Sequence, residues 1–244
     1  MEVHAHSHTA RKKWTHYLWE FLMLFLAVFC GFMAENFREH RIEHKRAKEY
    51  LNTLVNDLKT DTAAINYCLK QNLQLQTELD TLGKLLDTIN TKDIKQLQTA
   101  YRIFYTWGYT PYMVTFSNRT ITQLKSSGAM RLIRNDKLSD FIVYYYNGVD
   151  VCNKQADTYF EDMTDAIRLS YHFFDKLYLQ KNHSDLAIAS ALMNSNPDHV
   201  REFINRSADL KEVIDSYDQI LQTLTQMAVK LMDMINEENG ISKK

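Results

Sequence analysis

The pattern of apolar and polar positions changes character once along this chain. From Phe21 to Ala34, fourteen consecutive residues carry no formal charge, with Glu20 before them and Glu35 after. A helix over this run is apolar on every face. Beyond it, apolar residues recur in alternating steps of three and four, from Leu51, Leu54 and Leu58 through Ile65 and Leu75 to Leu86 and Ile89. This is the spacing of the a and d positions of a helix buried along one stripe. Asp61 and Asn72 fall on the stripe and interrupt it, as polar residues that fix register or pair with a neighbour do. Extra apolar positions at Val55, Leu69 and Leu85 widen the stripe, which favours a bundle with several neighbours over a two-stranded coiled coil. Extended backward, the register reaches His44, His40 and Phe37, so one helix is predicted from the apolar run to about residue 90.

Further helices follow. Ile94 to Tyr105 predicts a short helix ending near Gly108, before the break around Pro111. A third begins with Ser117 or Asn118 as its cap and stops at Gly128. A helix of some 45 residues is predicted from Asn135 to near Asn182, and a short capped one within "HSDLAIASALMN". The last starts at Asn196-Pro197, carries its stripe to Ile235, and has a candidate break near Ser207. No strand pattern competes. The fold class is therefore all-α: one N-terminal transmembrane helix continuing into an elongated antiparallel helical bundle. The expected organisation is a His-rich tail at 1–13, an anchor at 14–37, a bundle domain at 38–239 and a tail at 240–244.

The apolar run decides location. Tyr17 to Phe37 is 21 residues, about 30 Å of helix, which matches the hydrocarbon core of a bilayer. Trp14, Tyr17 and Trp19 sit where an aromatic belt belongs. A cleaved signal is disfavoured because no A-x-A pattern precedes a cleavage point near Ala34. Basic residues flank both ends, so a positive count does not settle orientation. Arg38, Arg41, Lys45, Arg46 and Lys48 are interleaved with four glutamates, and long domains cross largely regardless of charge. The expected topology is a single pass through the inner membrane with the bulk in the periplasm. Glu20, Ala27, Gly31 and Ala34 line up on one side of the span, and the small residues suit close approach of a second helix. The lipid bilayer and a second copy, or a membrane-protein partner, are the partners implied. Glu20 either reaches toward the headgroups or serves as a buried acid, up to a proton relay.

Composition narrows the functional classes. Lys and Arg number 29 against 30 Asp and Glu, leaving no global field to gather nucleic acid. Two prolines and six glycines leave few enforced helix stops. Cys30, Cys68 and Cys152 lack CxxC spacing, which excludes a zinc ribbon, although a bridge between Cys68 and Cys152 stays open if their helices meet.

"TITQLKSSGAMRLIRNDKLSDFIVYYYN", Thr120 to Asn147, together with the span ending in "AENFRE", resembles a group of uncharacterised single-span membrane proteins of Bacteroidota. In that group a T-x-x-x-L-x-S-S-G-x-x-x-L-I-x-N stretch follows an N-terminal anchor. This chain departs from it at Ile121 and Phe37. The resemblance implies an envelope membrane protein with a helical domain, and carries no activity or cofactor.

Three patterns could carry chemistry. "HRIEH" matches H-x-x-E-H, in which His40 and His44 would bind zinc and Glu43 would act as base in a hydrolase. A solvated helix with paired charges explains the same letters. His4, His6 and His8 form a tail that either holds a metal ion or simply titrates near neutrality. Tyr101, Tyr105, Trp107, Tyr109, Tyr112 and Tyr145 could line a ligand pocket of a sensing domain that works with a partner, or pack the core. With no nucleophile elbow or phosphate loop, the leading expectation is a non-enzymatic accessory or scaffold protein without a cofactor.

Overall fold

The computed structural model describes residues 14–89, 93–107, 111–172, 174–175 and 196–240. The tail histidines His4, His6 and His8, the side chain of Trp107, Tyr109 and the "HSDLAIASALMN" helix lie outside the described residues. Five α-helices account for most of what is described: α1 (Trp14–Asp87), α2 (Ile94–Trp107), α3 (Arg119–Ser126), α4 (Asp136–Ser170) and α5 (Pro197–Glu238). A single 3-10 turn, Ala129–Leu132, separates α3 from α4. The chain divides into two units, Met1–Glu49 and Tyr50–Lys244.

The first unit contributes the start of α1. This helix is long and apolar enough to cross a membrane, and none of its 18-residue apolar window is covered by protein. Phe21, Phe25 and Phe29 stack in succession along it. His40 and Phe37, reached by extending the buried stripe backward, are exposed here.

The second unit is an all-α bundle built on the predicted stripes. Leu51, Leu54, Leu58, Ile65, Leu75, Leu79, Leu82 and Leu86 of α1 are all buried, and so are Asp61 and Asn72 between them. Each fully buried leucine or isoleucine stabilises the fold by roughly 1.5–3 kcal/mol, which explains why the stripe persists for ten turns. Direction follows from contacts at successive levels. Asn52 bonds Asn239, Asn72 bonds Asp218, Gln76 bonds Asp215, and Asp80 pairs with Lys211, so α5 runs opposite to α1. Asn135 reaches Glu238 and Asp162 pairs with Arg206, so α4 also opposes α5. Gly148 allows the close approach of α4 and α5, since a Cβ there would lie 3.0 Å from Leu224 Cδ2.

The remaining position in the bundle is filled by a broken arm. Residues 111–118 carry no regular secondary structure, and the chain re-enters helix at α3. Tyr112 lies beside Cys68, Ser117 beside Asp61 and Thr120 beside Asp57, so the arm descends against α1. The up-down-up-down order of a four-layer bundle is thus kept with one layer interrupted.

Two expectations are corrected. The long fourth helix stops at Ser170 rather than near Asn182. Tyr171 and His172 turn back on Arg168 and Leu169, and Phe174 is buried against Phe104 at 4.4 Å and Tyr101 at 5.1 Å between ring centres. The apolar stripe continues through Phe174, whose N–H still bonds the Ser170 carbonyl, but the regular helix has already ended. The last helix, in turn, has no break at Ser207, which is buried in an uninterrupted run from Pro197 to Glu238. Its start is as predicted: Asn196 accepts a bond from the Asp198 N–H, with Pro197 behind it.

Candidate functional site

The arm of residues 111–118 has no regular secondary structure, and its backbone groups need partners that a helical ladder would otherwise supply. Side chains from three helices provide them. Asp61 Oδ1 accepts the Ser117 N–H at 2.8 Å, and the Tyr217 hydroxyl accepts the Val114 N–H at 2.9 Å. The Cys68 thiol donates to the Tyr112 carbonyl at 3.0 Å, and the Tyr146 hydroxyl to that of Ser117 at 3.5 Å. Asn118 occupies the cap position of α3 but makes no side-chain cap bond. Asp57 of α1 reaches the Thr120 N–H instead, at 3.4 Å. Behind this layer Asn72 donates to Asp218 Oδ1 at 2.7 Å and accepts from the Tyr159 hydroxyl at 3.3 Å. The two polar interruptions of the α1 stripe therefore have definite work. One holds the arm, and the other joins α1, α4 and α5.

Burial sets the protonation of this layer. It pushes the Cys68 and Cys152 thiols up to about 12, so both stay thiols near neutral pH. It likewise raises Tyr145, Tyr146, Tyr159 and Tyr217, which remain neutral phenols. Asp61 is raised by burial against the opposing pull of the Ser117 bond. Asp218 is pushed up to about 6, chiefly by burial, with the Asn72 bond pulling the other way. Cys68 and Cys152 are both free. These groups donate and accept hydrogen bonds, and none is tuned as a nucleophile. Asp61 Oδ2, Thr120 Oγ1 and Tyr145 OH are buried without a partner among the described residues.

A pocket of about 420 Å³ opens outward from the arm. Val114, Ile121 and Val149, all buried, form its apolar floor with Tyr146. Its polar lining comes from Thr115, Asn118, Thr122, Lys125, Asp150 and Asn153. A second, open groove of about 520 Å³ lies between α4 and α5, lined by Tyr144, Val151, Ile220 and Met227 around Gly148.

The residues singled out from sequence are placed as follows. Glu20, Ala27, Gly31 and Ala34 are all exposed on α1, with open space where a Gly31 Cβ would stand. His16 Nε2 lies 3.5 Å from Glu20 Oε1. His40 Nδ1 lies 3.7 Å from Glu43 Oε2, and no group of three or more metal-ligating side chains occurs among the described residues. Of the aromatic set, Tyr101 is buried beside Phe174 and accepts the Asp175 N–H, whereas Tyr145 is buried beside Tyr146. Tyr145 lies about 37 Å along α4 from its end at Ser170, and Phe174 lies beyond that end, so the two tyrosines sit at different levels. Tyr112 is half-buried on the arm and Tyr105 is exposed. The pocket under the arm was not foreseen. Its available signals were the aperiodic residues around Pro111 and the polar position Asp61, whose carboxylate holds the Ser117 N–H.

The T-x-x-x-L-x-S-S-G-x-x-x-L-I-x-N stretch folds as the corner below this pocket. Thr120 and Leu124 are buried, and Ser127 Oγ bonds the Gln123 carbonyl at the end of α3. Gly128 takes φ 66°, the left-handed turn that glycine adopts freely. Ile133 is buried, and Asn135 caps α4 through the Leu138 N–H. Comparison with protein-family models, with curated proteins and with solved structures finds no match for this chain.

Proposed function

We propose that this chain is a membrane-anchored, non-catalytic helical scaffold of the cell envelope, which associates with itself or with a membrane-protein partner through its span and bundle. One observation carries the reading: the apolar window of α1 has no protein cover at all, while the apolar stripes of the bundle are buried. Exposing that many large side chains to water would cost roughly 1.5–3 kcal/mol each, and a bilayer removes the cost. The polar stretch after the window supports a helix leaving the membrane, with Arg38 paired to Glu35 and Lys45 to Glu49. The thiols and phenols held in their neutral forms support a non-catalytic interior. Single-pass insertion in the inner membrane with the bundle in the periplasm, as in the Bacteroidota group it resembles, is the arrangement we favour.

Alkaline carbonate washing of native membranes tests the anchor: the protein should stay with the pellet, and release of folded protein into the wash would overturn the reading. Gly31→Ile tests the packing face. Self-association or partner capture in a membrane two-hybrid assay should drop, because the face relies on small residues. An unchanged signal would remove the span as the association surface.

A further inference from the structure

The pocket beside the irregular arm goes beyond the scaffold reading and does not depend on it. Its polar side chains are exposed and open to a ligand. Around the pocket, the Lys125 ammonium, the Asp150 carboxylate, the Asn118 and Asn153 amides and the Thr115 and Thr122 hydroxyls make no side-chain bond among the described residues. The peptide N–H and C=O groups of Thr115 and Phe116, two further lining residues, have no hydrogen-bond partner among the described residues.

A pocket that offers one cation, one anion, several neutral donors and acceptors and a hydrocarbon floor selects for a small molecule with matching parts. The volume lies within the roughly 300–1,000 Å³ range of small-molecule sites. The cation and the anion would take the two ends of a zwitterion, while Val114, Ile121 and Val149 would cover an apolar body. We infer that this pocket binds a free α-amino acid with a hydrocarbon side chain, its carboxylate toward Lys125 and its ammonium toward Asp150. The floor disfavours a charged side chain, which would be desolvated against valine and isoleucine without a partner. Occupancy would also bridge α3 to α4 across the arm, since Lys125 belongs to the former and Asp150 to the latter.

The test uses the full chain in lipid nanodiscs and isothermal titration with free leucine, isoleucine, valine, methionine and phenylalanine, with glutamate and lysine as contrasts. At least one of the five should bind more tightly than both contrasts. Lys125→Ala and Asp150→Asn should each weaken it by about tenfold or more, as loss of one charge-assisted bond does. Both side chains are exposed, so the fold should survive either change. The N-acetyl and the amide derivative of the best ligand, each lacking one charge, should show the same loss on parent protein. The inference is overturned if none of the five binds at millimolar concentration. It is equally overturned if the charged contrasts bind as well, or if the variants and derivatives bind like the parent pair.

Discussion

At the scale of single residues, the polar side chains of the bundle interior act through the protonation state that burial imposes. Asp218 has its carboxyl pushed from 3.8 up to about 6, so the folded chain holds its proton more tightly than the unfolded chain does. Stability from this group is therefore fully present below the unfolded value and is lost as pH climbs from about 4 to about 6, staying low above that. Asp215, on the same helix, adds like-charge repulsion in that ionised state. Asp218→Asn keeps an oxygen to accept from Asn72 and cannot ionise. It should melt at a higher temperature than the parent at about pH 8 and at nearly the same temperature at about pH 3 to 4. Circular dichroism melts at the two pH values check the sign, and equal shifts at both would contradict it. That Asp61 and Asn72 break the α1 stripe was legible from the heptads alone. Their partners were not, because Ser117 and Asp218 stand 56 and 146 residues away and no local rule links them.

At the scale of elements, helices read well where period and cap agree. The start of α4 at Asn135 and of α5 at Asn196-Pro197, and the stop of α3 at Gly128, follow from local chemistry that needs no tertiary partner. Where a stripe and a helix part company, the reading fails. Phe174 keeps the period of α4 and packs against Phe104, yet the regular helix has already ended at Ser170. Ser207 looked like a break and proved to be an ordinary buried position of α5, its hydroxyl without a partner among the described residues. This leads to a directional expectation. Ser207→Ala removes a buried unpaired hydroxyl and gains helix propensity, so it should stabilise the protein by about 0.5–1.5 kcal/mol. Thermal melts of parent and variant in the same detergent decide it, and a lower midpoint for the variant would show that the hydroxyl has a partner after all.

At the scale of the whole molecule, the two units differ in how far their apolar residues are covered by protein. The bundle of residues 50–244 closes its own core, from Leu51 to Ile235, whereas the window before it buries nothing against protein. A fragment of residues 50–244 should therefore be soluble, strongly helical and cooperative in melting without detergent, while the full chain should need lipid or detergent to stay dispersed. Size-exclusion chromatography with circular dichroism checks both halves of that expectation. The irregular arm carries the last consequence. Its course is written by Asp57, Asp61, Cys68, Tyr146 and Tyr217, none of which belongs to it. Heritable change in the shape of this hollow can thus arise from codons far from the arm, leaving its own eight letters untouched.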